Sequence, residues 1–354
     1  MDQRIPLLLA VAVLTFAACR KDEDPAEETG QTPLTLNIPS FITDSGHVAH
    51  VEFGNPITVE GVALGRTLFY EKALSDNYSM SCGSCHVQAN GFTDPREFSI
   101  GTDGSVGERN AMQVINMAFD EHFFWDGRRH SLEGQAHDPV TNMIEMRNTW
   151  PVVVQRLQAH DTYPGLFKKA FGTTTIDSDL VVMAIAQFER TLLSFNSPFD
   201  RYFYLGQANA MNDQEIRGMD VFMRDGHCVD CHKNPFFNDH GLRNNGLDMI
   251  SADPGFGGIS GNAADVGKFK VPTLRNIAHT GPYMHDSRFA TLEQVVNFYA
   301  HNVQVDNPHI DAHMDPWRFG LVNLTPEQEA DLVAFLNALT DEGFLTNPTF
   351  SDPH

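Results

Sequence analysis

The sequence predicts a mainly α-helical protein built as two successive domains, and three observations carry that prediction. Apolar residues recur at helical spacing in several separate stretches, and no stretch sustains the alternation of a half-buried strand. Two motifs of the same form, Cys82-Gly83-Ser84-Cys85-His86 and Cys228-Val229-Asp230-Cys231-His232, divide the chain into halves of similar plan. Each is preceded by a helical stretch and followed by a long loop rich in Gly, Asp, Ser or Asn. With 354 residues, 42% of them hydrophobic and 20% charged, the chain has a soluble composition and enough length for two cores.

Taken in order, residues 5–18 form an apolar run behind Arg4, too short for a comfortable membrane span. Ala17 and Ala18 directly precede Cys19, which resembles a bacterial lipoprotein cleavage box and makes Cys19 the lipidation site. Such a leader (residues 1–19) predicts export and a lipid-anchored place in the cell envelope, on the periplasmic side. Residues 20–38, acidic at first, read as a flexible linker. The first domain is expected over 39–205 and the second over 206–345.

Val62 to Tyr70 has helical spacing and leads into the first Cys motif, and residues 87–110 read as an extended loop. Thr149-Trp150-Pro151 opens a helix over 150–159, with proline in the first turn, where its missing N–H costs least. Asp177 or Asp179 caps a helix running through Phe195, with Val182, Ile185, Phe188 and Leu192 on one face. In the second half a helix over about 213–225 precedes Cys228. Thr291-Leu292-Glu293-Gln294 is a capping box that opens a helix to about His301. Thr325-Pro326-Glu327-Gln328 opens the last helix, whose Leu332, Phe335, Leu336 and Leu339 fall at i, i+3, i+4 and i+7.

The Cys motifs carry the chemistry. C-x-x-C-H is the signature of covalent c-type haem attachment, with two thiols for the haem vinyl groups and the adjacent histidine for the proximal face of the iron. One copy is also compatible with a redox dithiol or half a zinc site. Two copies, with Cys19 as the only other cysteine, point to two haems held by Cys82, Cys85, Cys228 and Cys231, with His86 and His232 as iron ligands. The fold is then two cytochrome c-like haem domains with long loops. A formal net charge of −22 argues against nucleic acid and anionic lipid as partners.

Further motifs resemble the bacterial di-haem cytochrome c peroxidase / MauG family over roughly residues 50–342. They are Phe124-Trp125-Asp126-Gly127-Arg128, Asp138-Pro139-Val140 leading to Glu145-Met146, Lys270 to Asn276, and Gly281 to Asp286. The resemblance implies an exported peroxidase that reduces hydrogen peroxide with electrons from a small c-type cytochrome or a cupredoxin-like donor. It implies an N-terminal peroxide site and a C-terminal electron-transfer haem. Glu145 falls at the family's distal acid–base carboxylate and Gln135 at its distal glutamine, and Trp125 matches the inter-haem tryptophan. Asn110, with the carbonyls of Thr280 and Pro282, matches a calcium site.

Two departures from the pattern shape the expected function. The family's activation-dependent members ligate the N-terminal iron with a loop histidine, and here that position is Thr102. The N-terminal site is therefore expected to be open in the ferric protein, and Thr102→His to close it. Where the peroxidases carry a methionine ligand, this chain has Tyr299, as MauG-type members do, with Met284 and Met314 as competing iron ligands. Tyr299 favours a second activity, oxidation of a protein substrate. An electron-transfer cytochrome is the alternative of another class, and a dispensable Glu145 would mark it. His285 is expected to hydrogen-bond near the second haem. A homodimer is compatible with the family, although no interface signature is present.

Overall fold

The computed structural model describes residues 31–51 and 54–354. Cys19, the leader and the acidic part of the linker lie outside the described residues. The helices are α1 (Ser40–Thr43), α2 (Val59–Phe69), α3 (Leu132–Thr141), α4 (Trp150–Gln158), α5 (Tyr163–Phe171), α6 (Ser178–Glu189) and α7 (Pro198–Phe203). They continue with α8 (Asp213–Met223), α9 (Gly257–Ser260), α10 (Leu292–Asn297), α11 (Asp315–Arg318), α12 (Pro326–Asn337) and α13 (Glu342–Thr346). Strand among the described residues is limited to β1 (Leu242–Arg243) paired antiparallel with β2 (Phe269–Lys270) and a few isolated bridges. The mainly α class holds.

Two large apolar clusters organise these helices. The first gathers Leu68, Phe69, Phe92, Trp150, Phe167, Ile185 and Phe188, and the second Phe199, Phe222, Phe237, Leu332, Phe335 and Leu339. In each, a helix that leads into a Cys motif crosses a later helix at a glycine. A Cβ on Gly65 of α2 would lie 1.9 Å from the Ala184 carbonyl of α6, and one on Gly218 of α8 would lie 1.9 Å from the Asp331 carbonyl of α12. Only a glycine permits that approach. Phe188 and Phe335 pack at the two crossings.

Residues 116–139 also repeat in detail as residues 276–299, at a constant offset of 160 within that stretch. Asn116 and Asn276, Phe124 and Met284, and Gly127 and Ser287 all adopt positive φ. The bridge Phe123–Arg129 recurs as Tyr283–Phe289. Ser131 caps α3 as Thr291 caps α10, each accepting a backbone N–H from three residues ahead. In this register Trp125 corresponds to His285 and Pro139 to Tyr299.

Two segments differ from the sequence reading. The expected helix through Phe195 ends at Glu189. Asn116 accounts for the stop: its N–H donates to the Leu192 carbonyl (2.9 Å) and its side-chain oxygen accepts from Ser194 N–H (2.8 Å). Leu192 and Phe195 still reach the core, from the turn beyond the helix. Residues 32–34, inside the stretch read as linker, are bound rather than free: Leu34 N–H donates to the Ile57 carbonyl, and Thr32 to the Glu60 carboxylate.

Candidate functional site

The first cavity, of about 850 Å³, opens beside the first Cys motif. Residues 82–84 form a tight turn in which Cys85 and His86 N–H both donate to the Cys82 carbonyl (3.1 and 2.9 Å). That turn sets the two thiols and the imidazole on one wall of the cavity. His86 Nδ1 lies 2.9 Å from the Phe92 carbonyl, so it is the donor nitrogen and Nε2 keeps its lone pair for a metal. The second motif repeats this, with His232 Nδ1 3.0 Å from the Phe237 carbonyl.

All four thiols are unpaired. Burial raises their pKa values, to about 12 at Cys228 and Cys231, so they remain protonated at neutral pH. Two adjacent thiols with an imidazole oriented by its backbone bond are the donor set that c-type haem requires, and both sites present it.

Helix α3 faces the first motif across the cavity with Leu132, Gln135, Ala136 and Pro139, at i, i+3, i+4 and i+7. Glu145 follows on the turn after the helix, where Asn142 Nδ2 donates to its Oε1 (2.6 Å). Burial pushes the Glu145 carboxyl above its ordinary range, while the Asn142 bond and the Arg128 charge pull it back. The structure thus brings Glu145, Gln135 and Trp125 to the cavity that holds His86.

Among the described residues, His86 is the only histidine on these walls, beside Met80, Met112, Met117 and Met146. Thr102 is not on the wall; its N–H donates to the Glu145 carbonyl (3.0 Å) and its carbonyl accepts from Asn77.

Sequence reasoning missed two groups here. One is Asn142. The other is Glu189, buried at the end of α6, which lines the cavity with its Oε2 unpartnered. Burial pushes Glu189 up to about 8; the charge of the neighbouring Arg190, which pairs with Glu133 (2.7 Å), pulls it only partly back. The available signal was its spacing, seven residues after Val182 on the apolar face of α6.

The second cavity is a narrower slot of about 180 Å³ along Cys228, Cys231 and His232. Tyr299, Met284 and Met314 all line it. Tyr299 sits in a π turn (Phe298–Asn302), its hydroxyl accepting from Asn245 Nδ2 (2.9 Å). Burial raises its pKa well above the ordinary phenol range. In the repeat register, the first cavity has Pro139, with no ligating atom, where the second has Tyr299.

Trp125 lines both cavities. Its indole N–H donates to the Asn110 carbonyl (2.9 Å), and Asn110 N–H donates to the His285 carbonyl (2.8 Å). His285, on the wall of the second cavity, stacks its ring on Phe269 at 3.8 Å. Asn110, Thr280 and Pro282 come together on the second cavity, and the buried Asn110 Nδ2 has no partner.

Residues 59–209 match the family described as di-haem cytochrome c peroxidase. The methylamine utilization protein MauG of Methylorubrum extorquens is 36% identical over 291 residues, which cover 81% of this chain and 80% of that protein. The cytochrome c551 peroxidase of Nitrosomonas europaea is 37% identical over 273 residues, covering 74% and 81%. Among solved structures, a MauG-like protein associated with microbial copper homeostasis superposes with a TM-score of 0.80 at 33% identity, over 90% of this chain and 99% of that one. The diheme peroxidase BthA from Burkholderia thailandensis shares the fold, with a TM-score of 0.69 at 21% identity over 84% and 91%.

Proposed function

The chain belongs to the di-haem cytochrome c peroxidase family, and from that premise we propose that it reduces hydrogen peroxide to water in the first cavity with electrons drawn through the second. The observation that carries the reading is the meeting, on the walls of one cavity, of an oriented His86 and a half-buried carboxyl at Glu145. Haem c, held by Cys82, Cys85 and His86 and by Cys228, Cys231 and His232, supplies the redox centre at each site.

The protein's own residues handle position and protons. Gln135, one helical turn from Pro139, orients peroxide by hydrogen bonding. Glu145, as the carboxylate, accepts the proton from one peroxide oxygen and returns it to the departing oxygen as water forms. Asn142 holds the carboxylate toward the cavity, and Trp125 bridges the two sites. Glu145→Gln keeps the shape and loses the base. It should lower kcat/KM for peroxide by about 10²–10⁴ with haem content unchanged; an unaffected rate would favour an electron-transfer cytochrome.

A second reading, oxidation of a protein substrate, draws support from Tyr299, since a phenolate ligand stabilises oxidised iron. The oxygens of Asn110, Thr280 and Pro282 suit Ca²⁺, which the same family reading assigns there. Lipidation at Cys19, envelope localisation and two haem domains divided near residue 205 complete the proposal.

A further inference from the structure

We infer that Trp317 is the surface port of the second cavity, the side chain through which electrons from a protein donor enter it. The inference rests on the peroxidase reading, which consumes two electrons per peroxide and leaves their point of entry open.

The chain has three tryptophans, and their settings differ. Trp150 is buried in the first core against His137, with its indole N–H unpartnered. Trp125, between the cavities, and Trp317, on the second, each donate the indole N–H to a backbone carbonyl. For Trp317 the acceptor is the carbonyl of Tyr299, at 2.6 Å, and the two rings lie 6.1 Å apart. Trp317 is thus fixed to a residue that lines the same slot as His232.

The hydrogen bond has a chemical consequence. Loss of an electron makes an indole N–H strongly acidic, but a backbone carbonyl accepts a hydrogen bond without taking the proton. The oxidised ring keeps its proton and is restored by one electron alone. Trp317 gives one electron inward and becomes a radical cation; the donor gives one electron to Trp317 and is itself oxidised by one. Two such cycles supply the two electrons consumed when hydrogen peroxide and two protons become two waters.

The outer side of the residue fits this role. Trp317 is half-buried on the short helix α11, and Phe319 and Leu321, just beyond it, are 68% and 64% exposed. Arg318 on the same turn is paired with Asp315, and the ring itself lies 6.5 Å from that of His227, which is bonded to Asp230. With exposed apolar residues next to it in the chain and the adjacent arginine already paired, this surface lets a donor's redox edge approach without stripping Arg318 of its partner.

Freeze-quench EPR of the ferric holoprotein mixed with hydrogen peroxide and no donor tests the inference in the wild type, Trp317→Phe and Trp317→Tyr. The Soret response serves as the check that the first cavity is loaded and reacting. A tryptophan-type radical should form in the wild type, be lost in Trp317→Phe and become tyrosine-type in Trp317→Tyr. Oxidation of a reduced small c-type cytochrome should be slowed in Trp317→Phe and recover in Trp317→Tyr. Phenylalanine packs against Tyr299 much as tryptophan does, so a packing role would move neither readout. An unchanged radical and unchanged cytochrome oxidation in Trp317→Phe, with a normal Soret response, would overturn the inference alone. A wild type without any Soret response in either the ferric or the half-reduced state would overturn the peroxidase reading and the inference with it.

Discussion

Asn142 opposes burial in setting how Glu145 titrates. Glu145 must be unprotonated to accept the peroxide proton, and burial raises its pKa while the Asn142 hydrogen bond lowers it. Asn142→Ala removes one of the two lowering contributions and leaves the Arg128 charge. The acid limb of the pH profile of kcat/KM should therefore move to higher pH, with activity at alkaline pH largely retained. An acid limb that stays in place would separate Asn142 from the proton step. At this scale the haem-attachment residues were legible because thiol chemistry fixes their spacing, and Glu145 was legible only through its motif. Asn142 and Glu189 were not. An amide three residues before a glutamate looks like any turn, and a glutamate at a helix end looks solvated until the packing of α3 on α6 buries it.

The elements are held by the two glycine crossings. Gly65→Ala or Gly218→Ala would drive a methyl into a backbone carbonyl that cannot move aside, and each should destabilise the fold by about 1–3 kcal/mol in denaturant unfolding. Gly165, in α5, has open space at its Cβ position, and Gly165→Ala should instead stabilise by about 0.5–1 kcal/mol through the unfolded chain. Equal losses at all three positions would refute the close-approach argument. Helix starts were readable where side chains cap them, as at Asp177, Thr291 and Thr325. The end of α6 was not, because Asn116, some 75 residues away, sets it. Helix α3 was missed as an element: Pro139 inside it reads as a break, yet its ring belongs to the cavity wall.

At the scale of the whole molecule, the chain end ties the halves together. Tyr70 hydroxyl donates to the Phe350 carbonyl (2.8 Å), Arg66 Nε to the Ser351 carbonyl (2.7 Å), and Phe344 packs on Phe92 in the first core. Arg109 in the first half binds Asp253 in the second (2.7 Å), and the buried Lys270 binds Asp120 (2.6 Å). The Lys270 N–H also donates to the Trp125 carbonyl (2.7 Å), which ties the residue lining both cavities to the second half. None was visible in the sequence, since each joins residues more than a hundred positions apart. The repeat register carries the central claim: Pro139 leaves the first site without the ligand that Tyr299 offers the second. Rapid mixing of the fully ferric holoprotein with hydrogen peroxide, without reductant, tests this most directly. The account predicts an immediate Soret change in the ferric wild type. A ferric wild type that stays silent until it is half-reduced would contradict it.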